Sequence, residues 1–221
     1  KKKPPIINTN IRIAIARDTA FGFYYHDDLN AFKQSGATLV PFNALTDKSL
    51  PEADGLLIGG GFPETHSTLL EKNESLKDDI KNRLDSGMPA YAECGGLIYL
   101  ARSLTWQGNT HQMVGVIPGD IIMHQKPIGR GYVKLNETDK YPWGSGAKSS
   151  LNAHEFHYAS LENLPTNIKF AYDVERGYGI NGSNDGIVID NLLASFSHQR
   201  NIGENNWVER FTSFVRNKKD L

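Results

Sequence analysis

Pro89-Ala90-Tyr91-Ala92-Glu93-Cys94-Gly95-Gly96-Leu97-Ile98-Tyr99-Leu100 is a short apolar run that ends in a cysteine, then two glycines, then an apolar stretch with helical spacing. Strand, cysteine, Gly-Gly, helix is the layout of a nucleophile elbow, the sharp turn that lifts one reactive side chain out of an α/β sheet. Such a turn holds its nucleophile in strained dihedrals and needs small residues two before and two after it, because strand and helix backbones nearly touch there. Ala92 and Gly96 meet that requirement. The thiol of Cys94 then sits near a helix N-terminus, where the dipole favours thiolate, and the Gly95 N–H points at a developing oxyanion. A free cysteine is more commonly a small buried hydrophobe. The flanking Ala-x-Cys-Gly-Gly pattern is what favours a nucleophile.

Outward from the elbow, residues 11–16, 38–42 and 55–58 are short apolar, partly β-branched runs that read as buried strands, and 89–94 is a weaker example. Helical spacing appears over 28–35, around Leu29 and Phe32. It appears again over 67–84, around Leu69, Leu70, Leu76, Ile80 and Leu84, with Gly87 as the stop signal. Strands alternating with helices predict a parallel sheet. After Leu104 the pattern changes to strand-like runs at 113–123, 131–136, 151–161, 168–174 and 186–196, which predict mostly antiparallel extensions of that sheet. Trp207, Phe211, Phe214 and Val215 predict a C-terminal helix over 205–219 that covers the sheet. The expected class is therefore α/β: a mostly parallel central sheet flanked by helices, with an antiparallel extension. KKKPPIINTN at 1–10 reads as a solvated connector, so the expected domain is 11–221.

With 221 residues and 39% hydrophobic composition, one compact domain is expected. The formal net charge of −1, with both signs interspersed, argues against nucleic acid or an anionic membrane as partner and for a small molecule. A single cysteine makes no internal disulfide, and no stretch of about 18 apolar residues or signal-like segment is present, so cytoplasm is the expected compartment.

Gly59-Gly60-Gly61-Phe62-Pro63-Glu64 follows a predicted strand, and consecutive glycines there expose backbone N–H groups to a ligand in the sheet-end crevice. An ordinary Gly-rich turn reads the same way in isolation. The cysteine also needs a base. Of the seven histidines, His198 lies at the end of the apolar run 186–196, where a rigid scaffold presents catalytic groups. His154-Glu155-Phe156-His157 is not a zinc motif, because its histidines are three apart in a strand-like run. No metal site is expected. Alternation sends His154, Phe156 and Tyr158 to one face and Glu155 and His157 to the other, compatible with either a substrate loop or a satisfied core network. The GxGxxG spacing at 177–182 precedes another strand rather than a helix and reads as a hairpin connection. No GxxxxGK[ST] phosphate loop is present, so any ATP site lies on another domain or subunit.

ARDTAFGFYY at 16–25, GGGFPE at 59–64, AECGGLIYL at 92–100, RGY at 130–132, HEFHY at 154–158 and NLLASFSH at 191–198 resemble the C-terminal amidotransferase domain of cobyrinic acid a,c-diamide synthases. The resemblance implies a triad-type (class I) glutamine amidotransferase fold serving cobalamin biosynthesis. L-glutamine is then the substrate, and an N-terminal synthetase domain or subunit with ATP and magnesium is the partner. No cofactor is expected in this domain itself. By the same resemblance Cys94 attacks the glutamine amide, His198 shuttles the proton, and Gly61 with Gly95 forms the oxyanion hole. Gly60, Glu64, His154, Glu155, His157 and Tyr158 hold the glutamine, and Arg17 and Asp18 orient the site or a domain interface. Ordinary triad enzymes carry a Glu two residues after the histidine; here the sequence reads His198-Gln199-Arg200, and relatives in the cobyrinate family usually read His-x-His. Asp18, Glu204 and Glu209 are candidates for the third member. Two rival readings stand beside this one: a cysteine hydrolase of γ-glutamyl or peptide bonds, and a catalytically silent docking module for a synthetase.

Overall fold

The structure, a computed structural model, describes residues 11–144 and 149–219, so the expected connector at 1–10 lies outside it. The first half runs β1 (Ile11–Ala16), β2 (Phe21–Phe23), α1 (His26–Gln34), β3 (Ala37–Phe42), β4 (Gly55–Ile58), β5 (Gly60–Gly61), a 3-10 turn (Pro63–His66), α2 (Ser67–Lys72), α3 (Glu74–Asp85), β6 (Ala90–Glu93) and α4 (Gly95–Leu100). The second half runs β7 (Ala101–Trp106), β8 (Asn109–Gln112), β9 (Ile117–Met123), β10 (Gly129–Glu137), β11 (Ser150–His157), β12 (Ala159–Glu162), β13 (Lys169–Arg176), β14 (Asn184–Ile189), β15 (Leu192–Ser195) and α5 (Trp207–Lys219).

Nine strands form one mixed sheet in the order β11-β10-β13-β14-β15-β6-β4-β1-β3. From β15 to β3 the neighbours are parallel. From β15 outward through β14, β13 and β10 to β11 they are antiparallel. Alternation sorts the central strands onto two cores. Ile11, Ile13, Ile15, Leu57, Tyr91 and Leu193 face α1 and α5, where Phe32, Trp207 and Phe211 complete the cluster. The opposite face carries Ala14, Ala16, Ala90, Ala92 and Ala194. These short side chains let α4 approach the sheet closely, which the elbow demands.

Four expectations are corrected. The single helix expected over 67–84 is two, because Asn73 breaks it: its side-chain amide donates to the carbonyls of Ala44 and Asp47 at 3.0 and 2.8 Å, pinning the break to the β3–β4 connection. The second half does not simply extend the main sheet, since β12-β9-β7-β8 form a sheet of their own. Leu104, Ile117, Ile121 and Leu161 of that sheet belong to the core on the alanine face. The run at 151–161 divides at Tyr158, where the chain leaves the pairing with β10 for the pairing with β9. The run at 186–196 is a hairpin that turns at Asp190, whose φ is +48°, and its second strand returns parallel to β6, inside the parallel core. The GxGxxG stretch does connect two antiparallel strands, β13 and β14. Among the described residues no helix is long and apolar enough to cross a membrane.

A Cβ on Gly96 would fall 2.2 Å from the Ile58 carbonyl oxygen, backbone that cannot step aside. Gly96→Ala is expected to destabilise the fold by more than about 2 kcal/mol, read as a lowered midpoint in chemical denaturation.

Candidate active site

Cys94 has φ +47° and ψ −97°, a backbone region that non-glycine residues avoid. Three contacts over-determine it. Its N–H donates to Ser195 O at 2.8 Å, its carbonyl accepts from Ile98 N at 3.0 Å, and Gly96 packs on Ile58. The sulfur is nearly buried and lies 3.9 Å from the Phe156 carbonyl oxygen. The glycine loop closes over it. β5 pairs with β2, Phe62 N donates to Ala20 O at 2.9 Å, and a Cβ on Gly61 would sit 1.9 Å from that same oxygen. A Cβ on Gly95 would meet Gly61 N at 2.9 Å, so these two backbone segments touch beside the thiol with no side chain between them. A Cβ on Gly60 would lie 2.8 Å from His198 Cε1, so glycine there leaves room for the imidazole.

His198 follows β15 by three residues, and fully buried Asp185 organises that approach. Asp185 accepts from Phe196 N at 3.1 Å, Ser197 N at 3.0 Å, Ser195 Oγ at 2.8 Å and Ser197 Oγ at 2.5 Å. The carboxylate that meets the imidazole is Glu93, the residue immediately before the cysteine: its Oε2 lies 3.3 Å from His198 Nδ1. Its Oε1 accepts from the Tyr91 hydroxyl at 2.6 Å and from Gln199 N at 2.9 Å. Gln199 in turn donates from Nε2 to the Tyr91 and Tyr172 hydroxyls at 3.1 and 3.0 Å. With Nδ1 toward Glu93, Nε2 is left to face the thiol. Burial pushes the His198 imidazole down, but the hydrogen bonds that it donates to Cys94 and then to Glu93 outweigh this and push the group up to about 10.

None of the three carboxylates expected from sequence takes the third place. Asp18 accepts from the N–H groups of Ala20, Phe21 and Ala44, which shapes the β1–β2 loop. Glu209 faces Asn201 at 3.4 Å. Glu204 lines an open cleft of about 1140 Å³ that His154 and His198 also border. The signal for Glu93 was available. A carboxylate inside an apolar strand next to the elbow is buried with its strand, and a buried carboxylate needs a partner.

The expected glutamine-holding residues divide. Gly60 lies under the His198 ring, and Glu64 stands half-buried in the 3-10 turn after the glycine loop, where burial raises its carboxyl. His154 and Tyr158 share one face with exposed Phe156. Glu155 and His157 point the other way and are buried. Glu155 accepts from Tyr178 N at 2.7 Å and Gly179 N at 2.9 Å, while His157 Nδ1 donates to Ala159 O at 2.9 Å and its ring stacks on Phe196 at 4.1 Å. These two residues hold the 177–179 turn and the chain leading to His198. Among the described residues no cluster of three or more His, Cys, Asp or Glu side chains is placed to hold a metal ion.

A mixed α/β sheet with a strained cysteine at a strand-to-helix turn, a glycine loop beside it and a buried histidine is the architecture of class I glutamine amidotransferases. Solved structures share the fold: PurLQS from Thermotoga maritima superposes with a TM-score of 0.69 at 13% identity, over 94% of this chain and 98% of that one. A glutamine amidotransferase from the same organism gives 0.60 at 15% identity, over 95% and 85%. Residues 12–205 match the CobB/CobQ-like glutamine amidotransferase domain, and the chain belongs to that family. It is 41% identical to the cobyrinate a,c-diamide synthase of Magnetococcus marinus over 98% of this chain and 46% of that protein. It is 40% identical to that of Archaeoglobus fulgidus, over 95% and 45%. The chain thus spans about half the length of the curated relatives it matches.

Because the folded His198 is raised above its unfolded value of about 6.5, it contributes stability that is complete below that pH and is lost as pH rises through about 10. Glu93→Gln removes one of the two raising partners. The His198 midpoint in an NMR titration is expected to move to lower pH, and the loss of stability between about 6.5 and 10 to shrink with it.

Proposed function

We propose that this chain hydrolyses L-glutamine through a thioester on Cys94 and supplies ammonia to an ATP-dependent synthetase half, which amidates peripheral carboxylates of a cobyrinate-like tetrapyrrole. One observation carries the chemistry: a cysteine held at φ +47° beside the backbone N–H groups of Gly61 and Gly95, with a buried imidazole backed by a carboxylate. The sulfur attacks the side-chain carboxamide carbon, and the oxygen that gains charge turns toward Gly61 N and Gly95 N. His198 gives its Nε2 proton to the leaving nitrogen, the C–N bond breaks, and ammonia departs. The same nitrogen then takes a proton from water as the oxygen attacks the thioester, releasing glutamate and restoring the cysteine. Glu93 keeps its charge throughout and holds Nδ1, which fixes the ring's orientation and stabilises its protonated form.

Glu64 takes the α-ammonium of glutamine in this reading, since it is half-buried beside the glycine loop and pairs with no Lys or Arg among the described residues. Tyr158 and Gly60 complete the cradle. ATP and magnesium belong to the synthetase half, in keeping with relatives about twice this chain's length and with a sequence that has no phosphate loop. A silent docking module drew its support from the missing Glu after His198. Glu93 in that role supports turnover instead.

In the full-length protein, a glutamine-derived electrophile is expected to label Cys94, and Cys94→Ser to abolish glutamine-dependent amidation while leaving ammonia-dependent amidation intact. Equal loss of both activities identifies a structural cysteine. His198→Ala is expected to slow thioester formation by two or more powers of ten, on the order of what general bases contribute. Wild-type rates in that variant exclude it from proton transfer.

A further inference from the structure

His154 belongs to the expected glutamine-holding set, yet its contacts are with the base. The two main chains form an isolated antiparallel bridge in which His198 N donates to His154 O at 2.7 Å and His154 N donates to His198 O at 3.1 Å. Their rings stack with centroids 5.2 Å apart and planes 26° from parallel. Phe23 meets the His198 ring edge-on at 5.3 Å, and Tyr25 meets Phe23 edge-on at 5.3 Å. The Tyr25 hydroxyl closes the ring of contacts, 3.3 Å from His154 Nδ1. Outside this cage the Arg200 guanidinium lies 5.4 Å from the Tyr25 ring centroid and is tied to Asp27 at 2.6 Å.

The imidazole of His198 is thereby bounded on its faces and edges by groups from the β2–α1 junction and from β11, while Glu93 and Cys94 take its two nitrogens. Burial, then the neighbouring charge of His198, hold the His154 imidazole below its ordinary value. A neutral aromatic face against a protonated imidazole is a favourable arrangement, whereas two cations at that spacing repel.

We propose that His154 is a positioning residue for the base: its ring and its backbone bridge fix the His198 imidazole in the orientation that addresses Cys94 and Glu93 together, and it does not bind glutamine. The inference rests on the Cys94–His198 reading above, and it separates from that reading by kinetics. A misoriented base slows the chemical step and leaves substrate affinity alone, whereas a lost substrate contact raises KM.

The test is steady-state glutaminase kinetics on the full-length protein carrying His154→Ala, His154→Phe or Cys94→Ser. For His154→Ala, kcat is expected to fall about 10- to 100-fold, the scale of a small misplacement of a catalytic group, with KM within about threefold of wild type. His154→Phe keeps a flat aromatic face with no nitrogen to bind substrate, and is expected to recover most of that kcat at an unchanged KM. A KM raised tenfold or more at unchanged kcat, in either variant, makes His154 a substrate contact and overturns the proposal. Wild-type kinetics in His154→Ala also overturns it. Should His154→Ala not fold cooperatively in a thermal melt, the Phe variant decides by the same criteria. If Cys94→Ser retains glutaminase activity, the underlying mechanism fails. If Cys94→Ser is inactive while His154→Ala behaves as wild type, this inference alone fails.

Discussion

Glu93 and Cys94 are neighbours in the chain, and both address one imidazole. In an ordinary strand, consecutive side chains point to opposite faces of the sheet and do not converge on a third group. They converge here because the chain turns at Cys94 with φ +47°. Glu93 is still in the strand, on the same face as Tyr91, which donates to it at 2.6 Å. Cys94 is already on the turn, above the sheet end. The strain at one residue therefore sets both the place of the Cys94 thiol at the strand end and the reach of the carboxylate, and much of the remaining structure serves to hold that turn closed.

The neighbouring strand brings His198 to the level of the elbow. Ser195 is in register with Glu93 and accepts from Cys94 N at 2.8 Å, so the end of β15 is tied to the elbow itself. Three residues later the chain must present His198 without a helix or strand to support it. Asp185 does this from β14 by collecting the N–H groups and hydroxyls of 195–197, and the bridge to β11 fixes His198 itself. The antiparallel extension of the sheet is thus what gives the loop its rigidity, although none of its strands carries the nucleophile. Glu155 and His157 belong to the same support. Each looks like a site residue in the sequence, yet Glu155 accepts from the main chain of Tyr178 and Gly179, His157 Nδ1 donates to Ala159 O, and His157 Nε2 faces Glu155 Oε2 at 3.5 Å.

The parallel core, the elbow and the C-terminal helix were legible in the sequence because each rests on a local pattern: β-branched runs, a cysteine flanked by small residues, and aromatic residues at helical spacing. The split of residues 67–84 was not legible, because the break at Asn73 is made by carbonyls of Ala44 and Asp47, some 26 to 29 residues away in the chain. Nor was the separate four-stranded sheet, since alternation reports a buried face and not which sheet buries it. The glycine loop was readable as special but not as to why. Its reason is the approach of the Ala20 carbonyl to Gly61, a contact between segments 41 residues apart. Glu93 was readable as a buried carboxylate in need of a partner, but not as the partner of His198. Ordinary triad enzymes keep their third member beyond the histidine, and that pattern points away from the residue beside the nucleophile.

The contact between Glu93 and His198 explains the residue found two after the histidine. With Glu93 satisfying Nδ1, position 200 carries no obligation to the imidazole, and Arg200 turns outward to pair with Asp27 across the rim. A carboxylate at 200 would compete with Glu93 for one nitrogen and would face Asp27 as a like charge. Two negative groups at short range raise each other's proton affinity, so neither holds its charge as well as one alone. Burying Glu93 with His198 is itself costly unless every remaining lone pair is met. Tyr91 and the Gln199 N–H meet those of Oε1, and Gln199 is held in turn by two tyrosine hydroxyls. The glutamine that stands between histidine and arginine is therefore part of the carboxylate's support, and in His198-Gln199-Arg200 the two residues after the imidazole serve Glu93 and the rim pair with Asp27.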